Sequence, residues 1–259
     1  TRGVVNRFLV PDPAWFGGNF QGVKDQQGRS LIIYDPQTTR LDAQGNTIRD
    51  PFPNNIIPAA RISPIAKKLL GFLQAPNISG AAYGAQNFIF NEVFTKKTHA
   101  FDTKINYTIT EKDALSYRFS FQQPKVFQPD AYGIYGGPNS GGGFGGTGTQ
   151  NTISTAANYT HTFSPSLIAE GRFGVSWYHN VAVTQADGLK TSTDVGIPGV
   201  NLDNFTSGLT SINISGYTAN GPTLGFVNSL PWDRGETTYI GSAIVTKLMG
   251  NHSFKMGEE

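Results

Sequence analysis

The sequence predicts an all-β protein, an antiparallel up-and-down meander that forms part of a large transmembrane β-barrel with long extracellular loops and one short loop helix. Three observations predict it. Apolar and polar residues alternate with period two through three pairs of segments, as in strands with one dry and one wet face. Within each pair the turn is short, whereas the connections between pairs are long, an asymmetry typical of transmembrane β-barrels. Tyrosine and tryptophan fall on the apolar face near strand ends, where an amphipathic ring suits the headgroup level of a bilayer.

Taken in order, an aromatic strand is expected near 15–22, in Trp15-Phe-Gly-Gly-Asn-Phe-Gln21. A long connection over 23–99 follows. Within it, Ser63 before Pro64 is a helix start, Ile65, Leu69, Leu70 and Leu73 recur at helical spacing, and Pro76-Asn77 ends the helix. The first hairpin, 100–122, alternates from Phe101 to Ile109, turns at Thr110 to Asp113, and returns through Leu115, Tyr117, Phe119 and Phe121. After the connection 123–150, the hairpin 151–178 repeats the plan with a turn at Ser164 to Ser166. After the connection 179–236, a less regular hairpin at 237–259 turns at Met249 to His252. Connections this long are uncommon in compact soluble domains.

A strand of about 10 residues tilted near 40° spans the roughly 25 Å apolar band of an outer membrane. The odd-numbered face of the first two hairpins is therefore expected to meet lipid: Phe101, Ile105, Tyr107, Leu115, Tyr117, Phe119, Phe121, Tyr159, Phe163, Phe173, Val175 and Trp177. The even-numbered face, with Asp102, Lys104, Arg118, Glu170 and Arg172, is expected to line the lumen. The same alternation fits a second class, a secreted soluble β-sandwich such as an adhesin or carbohydrate-binding module, whose apolar faces would close on each other.

Composition removes other classes. The 259 residues contain no cysteine, which excludes disulfides, thiolate metal sites and cysteine nucleophiles. A net charge of +2 gives no field for nucleic acid, and no nucleic-acid partner is expected. No apolar window approaches the roughly 20 residues of a membrane helix. Gly141, Gly143 and Gly146 match G-x-G-x-x-G, yet no strand leads in and no helix follows, so Gly136 to Gly148 reads as a mobile surface loop. His99, His161, His179 and His252 are scattered without metal-ligand spacing, and no G-x-S-x-G elbow occurs. No catalytic residue, metal or cofactor is expected, and the protein is not expected to be an enzyme. Six N-x-S/T triplets occur by chance, those at Asn106 and Asn158 arising from the Thr-rich polar faces of predicted strands. The chain starts at Thr1 and stops in mid-pattern after Met256, so it reads as an internal piece of a barrel, about seven strands, whose unpaired edges would aggregate in water.

Several segments together resemble the Oar-like TonB-dependent receptors of bacterial outer membranes. Trp15-Phe-Gly-Gly-Asn-Phe-Gln-Gly22 is similar to an aromatic segment that in the family runs close to F-F-F-G-N-Y-E-G. Tyr34-Asp-Pro-Gln-Thr-Thr39, Arg49-Asp-Pro-Phe-Pro-Asn-Asn-Ile-Ile-Pro58, Arg61-Ile-Ser-Pro-Ile-Ala-Lys-Lys-Leu-Leu70 and Pro76-Asn77 follow the family's order in a long extracellular loop. Phe101-Asp-Thr-Lys-Ile105, Thr110-Glu-Lys-Asp113, Tyr117-Arg-Phe-Ser120, His161-Thr-Phe-Ser-Pro-Ser-Leu167, Arg172-Phe-Gly174 and Gly250-Asn-His-Ser-Phe-Lys-Met-Gly257 continue the series. The resemblance implies an outer-membrane location, a 22-stranded barrel, a plug and a carboxypeptidase-regulatory-like domain that this chain lacks, and TonB acting through that plug. It also implies outer-membrane lipid around the wall and an extracellular ligand such as a siderophore, oligosaccharide or peptide. The connections 123–150 and 179–236 resemble nothing in the family, and ligand choice is expected there. Tyr132, Tyr135, Phe144 and Trp232 are the aromatic residues expected to stack on a ligand.

Overall fold

The computed structural model describes residues 1–25, 27–79, 84–217 and 221–259. Its strands are β1 (Arg2–Phe8), β2 (Arg40–Leu41), β3 (Thr47–Ile48), β4 (Phe88–Thr110), β5 (Asp113–Gln128), β6 (Gly146–Ser164), β7 (Leu167–Val183), β8 (Trp232–Met249) and β9 (His252–Glu258). The α-helices are α1 (Pro64–Leu70) and α2 (Thr191–Val195). Seven strands pair in the order β1-β4-β5-β6-β7-β8-β9, and β2 pairs with β3 alone. Apart from that small hairpin, which lies inside a connection, spatial order follows chain order. This is the antiparallel meander that the alternation predicts.

The three expected turns are present. Glu111-Lys112 joins β4 to β5, with Thr110 opposite Asp113 and the Lys112 N–H donating to the Thr110 hydroxyl. Pro165-Ser166 joins β6 to β7. Gly250-Asn251 joins β8 to β9, where Met249 faces His252 and Gly250 takes φ 58°, a conformation glycine adopts without steric cost.

The strands are longer than hydropathy indicates, and the hairpins expected at 100–122, 151–178 and 237–259 extend to 88–128, 146–183 and 232–258. β4 alone has 23 residues. Hydropathic alternation reports only the stretch where one face is dry, while the backbone ladder continues beyond it through residues that are polar on both faces. The long connections shrink accordingly to 9–87, 129–145 and 184–231.

The strand expected near 15–22 is corrected. Pro13–Gly17 is a 3-10 turn capped by the Asp12 side chain, which accepts from the Ala14 N–H, with Pro13 preset for the first helical position. The turn stops at Gly18, whose φ is 83° and whose missing Cβ would stand 2.6 Å from the Ile57 carbonyl oxygen. The first sheet strand is β1, which hydropathy passes over because Arg2, Asn6 and Arg7 interrupt its apolar residues. Helix α1 starts as expected, with the Ser63 hydroxyl accepting from the Ala66 N–H, but it ends at Gly71 rather than at Pro76-Asn77. Leu73 leaves the helix for the core. The second helix, α2, stops at Gly196 in the left-handed region and has no counterpart in the sequence reading.

The chain forms two compact units. One comprises Thr1–Phe94, Gln128–Gly146 and Val183–Pro231; the other comprises Thr95–Phe127, Thr147–Ala182 and Trp232–Glu259. The first holds the buried core, built from Phe8, Val10, Leu73, Phe88, Tyr132, Val195, Leu209 and Leu224. All three long connections contribute to it. The loops are therefore packed structure, as the ordering entropy of so many residues requires a buried apolar return. In the same unit Asn55 accepts from the Ile33 N–H and donates to the carbonyls of Phe20 and Leu31, and Asp35 holds Arg61 through two hydrogen bonds of 2.7 and 3.0 Å. These residues belong to the segments that carry the family resemblance, and their work here is to fold a loop.

The glycine-rich stretch is corrected in the same way: it is tightly packed rather than a mobile surface loop. A Cβ on Gly136 would meet the Gly225 carbonyl oxygen at 2.0 Å, and one on Gly146, where φ is 137°, would meet the Val183 carbonyl oxygen at 2.0 Å. Glycine serves here for backbone-to-backbone approach.

Candidate membrane-facing surface and loop cleft

In the second unit the register assembles the sequence-predicted surface residue by residue. On β4 and β5, Phe101 faces Phe121, Ile105 faces Tyr117 and Tyr107 faces Leu115, while Phe119 lies opposite Thr103. On β7 and β8, Val175 faces Tyr239, Trp177 faces Thr237 and Phe173 lies opposite Gly241. Cross-strand partners in an antiparallel ladder share a face, so the odd-numbered residues form continuous rows. These rows are exposed to a degree unusual for such residues: Phe101 is 58% accessible, Phe173 57% and Tyr239 69%. Phe163 and Tyr159 are exposed as well, and Leu115, Phe119, Phe121 and Val175 are half-buried among their neighbours. The third hairpin extends the face with Val245 opposite Met256 and with Phe254 on the same side. Its irregular sequence conceals this, because Lys247 and Gly241 break the apolar alternation.

Among the described residues the only sheet besides this one is the two-stranded β2–β3 pair. The closed two-sheet core of a soluble sandwich is absent from them, and the apolar core lies in the other unit.

The even-numbered face is polar and internally bonded on β4–β5 and around Arg172, and carries Ile240, Ile244 and Leu248 on β8. Asp102 accepts from the Arg118 guanidinium at 2.9 and 3.1 Å and from the Ser120 hydroxyl at 2.5 Å. Lys104 lies directly opposite Arg118. Arg172 reaches Asn158 at 3.1 Å and Glu170 at 3.4 Å.

Toward the long connections, a polar residue follows an aromatic ring on the odd-numbered face of three strands: His99 follows Phe101, Gln123 follows Phe121 and His179 follows Trp177, with Phe127 exposed farther along β5. Gln123 donates to Asn151 at 2.6 Å, and His179 Nε2 lies 2.5 Å from Asp233. At the turn end Asp113 gathers three side chains: it accepts from the Thr110 hydroxyl, from the Tyr159 hydroxyl at 2.5 Å, and faces His161 Nδ1 at 2.6 Å. Two of the four scattered histidines thus acquire carboxylate partners that their sequence spacing conceals. Among the described residues no group of three histidine or acidic side chains could hold a metal, and no helix is long and apolar enough to cross a membrane.

The four aromatic ligand residues separate. Tyr132 is corrected: it is 6% exposed and belongs to the core, its phenol pushed up to about 12 by burial, so its ring is unavailable to a ligand. Tyr135 stacks face to face on Phe72, centroids 3.8 Å apart. Trp232 opens β8 half-buried and donates its indole N–H to Asn180. Phe144 stays exposed. The structure adds a cleft of about 320 Å³ in the connection 184–231, with Leu202 and Phe205 at its exposed rim and Leu209 and Phe226 among its buried walls. Asn201 braces it, with φ at 52° and its amide donating to the carbonyls of Thr206 and Gly208. Only the sequence pair Asn201-Leu202, a turn residue beside an exposed aliphatic one, could have pointed to it.

A buried polar cluster completes the first unit. Glu92, 1% exposed, accepts at one oxygen from Gln128 (2.7 Å) and the Ser140 hydroxyl (2.9 Å), and at the other from Asn6 (2.9 Å) and the Ser140 N–H (2.9 Å). Asp130, 3% exposed, accepts from Asn139 at one oxygen, while the other is enclosed without a hydrogen-bond partner. Burial raises its pKa to about 8, an effect that the Asn139 bond offsets and the nearby Glu92 charge reinforces.

An open meander with one long apolar face and a polar opposite face defines a class, the β-barrel proteins of outer membranes. The family model of the outer membrane beta barrel domain matches residues 1–259. The chain belongs to that family, and its place is the bacterial outer membrane. Comparison with curated proteins and with solved structures found no match.

Proposed function

We propose that this chain is part of the wall and the ligand-capturing loops of a TonB-dependent outer-membrane transporter of the Oar-like kind. The odd-numbered rows meet lipid, and the even-numbered face lines a lumen occupied by a plug. Further strands pair with the open sides of β1 and β9, because an unpaired strand edge is not tolerated in the hydrocarbon. The chain performs no covalent chemistry; it binds ligand outside the cell, and TonB drives uptake through the plug.

The observation that carries this reading is the folding of three long connections into one packed unit with a braced cleft, leaving the strand ends opposite the short turns. A barrel that served only as an anchor would have no need of so much ordered loop. Phe144, Leu202 and Phe205 supply the exposed apolar contacts, and the Asn201 brace limits what must be ordered on binding. Crosslinking of the intact protein in living cells tests it: TonB should be recovered with the protein. A protein that inserts in the outer membrane yet never crosslinks to TonB is not a transporter of this type.

A further inference from the structure

On the odd-numbered face, past the rings of Phe101 and Phe121 and before that of Phe127, Lys97 lies directly opposite Lys125 in the β4–β5 register. Between this pair and the aromatic rings stand His99 and Gln123, also directly opposite each other. Both lysines are exposed, and neither has a carboxylate within ion-pair distance among the described residues. The one acidic residue bonded to a neighbouring side chain of this polar belt, Asp233, is taken by His179. Like charges directly opposite in a ladder repel at about 5 Å between backbones and destabilise the pairing, so the arrangement calls for an anion between them.

Depth and chemistry identify that anion. Lys97 is four residues from Phe101, about 13 Å along the strand and roughly 10 Å in height at the tilt of a barrel strand. A lysine stem reaching back toward the apolar band brings its ammonium to the headgroup level of the leaflet. We propose that Lys97 and Lys125 form a site on the outward face of β4 and β5 for the phosphate of an outer-leaflet lipid headgroup. Two ammonium groups on opposed, flexible stems converge on one phosphate, and the acyl chains below it lie along Phe101, Phe119 and Phe121. The site anchors a lipid and fixes the height of the wall. It rests on the reading of the odd-numbered face as lipid-facing.

The test uses the intact protein, stripped of lipid in detergent, titrated with phosphatidic acid or with phosphatidylcholine and read by native mass spectrometry. Each lysine near an anionic headgroup is worth about fivefold in binding, so the Lys97→Gln/Lys125→Gln variant should retain phosphatidic acid at least tenfold more weakly than the wild type, with phosphatidylcholine unchanged. The Lys97→Arg/Lys125→Arg variant should retain it as the wild type does. Inorganic phosphate at equal concentration should not displace the lipid, and displacement would overturn the lipid source. A nitroxide on a Phe173→Cys variant in vesicles separates the two readings, since the chain has no native cysteine. If that label collides with oxygen in the bilayer while the lysine variant binds as the wild type does, the phosphate site is overturned and the lipid face stands. If the label never enters the bilayer, both fall.

Discussion

Asp130 and Glu92 are two buried carboxylates with different hydrogen-bond partners. Glu92 receives four hydrogen bonds, which satisfy both of its oxygens. Asp130 has one enclosed oxygen with no partner, so the proton is retained in the folded state up to about pH 8, against 3.8 for a free carboxyl. Between those values the unfolded chain has lost the proton and the folded one has kept it. Stability of the loop unit therefore falls as pH rises through this window and levels off above it, by about 1.4 kcal/mol per unit and on the order of 6 kcal/mol in all. Asp130→Asn, which mimics the protonated acid, should remove the slope and leave the protein more stable at pH 8. Thermal unfolding of both forms across pH 5 to about 9 measures it, and parallel curves would mean that Asp130 is ionised in the fold. None of this was legible in the sequence. Glu92 occupies a strand position that reads as surface, and its burial depends on Ser140 and Gln128, which long-range folding brings to it. Tyr132 misled for the same reason, since an aromatic residue in a glycine-rich loop looks exposed until Phe88 and Leu224 are found around it.

At the scale of elements, the dry middle of each strand was legible and its ends were not. Phe101 to Ile109 and Leu115 to Phe121 fixed one face correctly, because a one-residue slip would exchange every side chain between faces. Lys96 to Ala100 and Gln122 to Phe127 continue the same ladder without hydropathic contrast. Trp15 to Gln21 failed as a strand because Asp12, Pro13 and Gly18 are stronger local instructions than aromatic content. The face assignment makes a quantitative prediction. Phe119→Arg or Val175→Arg should weaken the inserted state by about 2–4 kcal/mol near the bilayer midplane, whereas Ser116→Arg on the even-numbered face should cost far less. Refolding into vesicles with a urea titration measures both, and equal costs on the two faces would contradict the assignment.

For the molecule as a whole, the apolar interior and the apolar surface belong to different parts of the chain. The connections bury Val10, Leu73, Tyr132, Leu209 and Leu224, while the strands expose Phe101, Phe173, Tyr239 and Met256. A soluble protein would reverse that distribution, since water penalises every exposed apolar row. In a bilayer the same rows cost nothing and the loops need a core of their own. The division between dry strands and packed connections was visible as the contrast of short turns with long loops. The packing of those loops was not, because it rests on approaches such as Gly136 to Gly225 that only a folded backbone reveals. The most direct test is a scan of single cysteines along β7 from Leu167 to Val183 in the intact, membrane-inserted protein, each carrying a nitroxide and read by collision with oxygen and with a water-soluble relaxant. Oxygen accessibility should peak at 169, 171, 173, 175 and 177 and fall at the even positions between them. A profile without that alternation, or one in which the odd positions meet the aqueous relaxant, would contradict the lipid-facing surface.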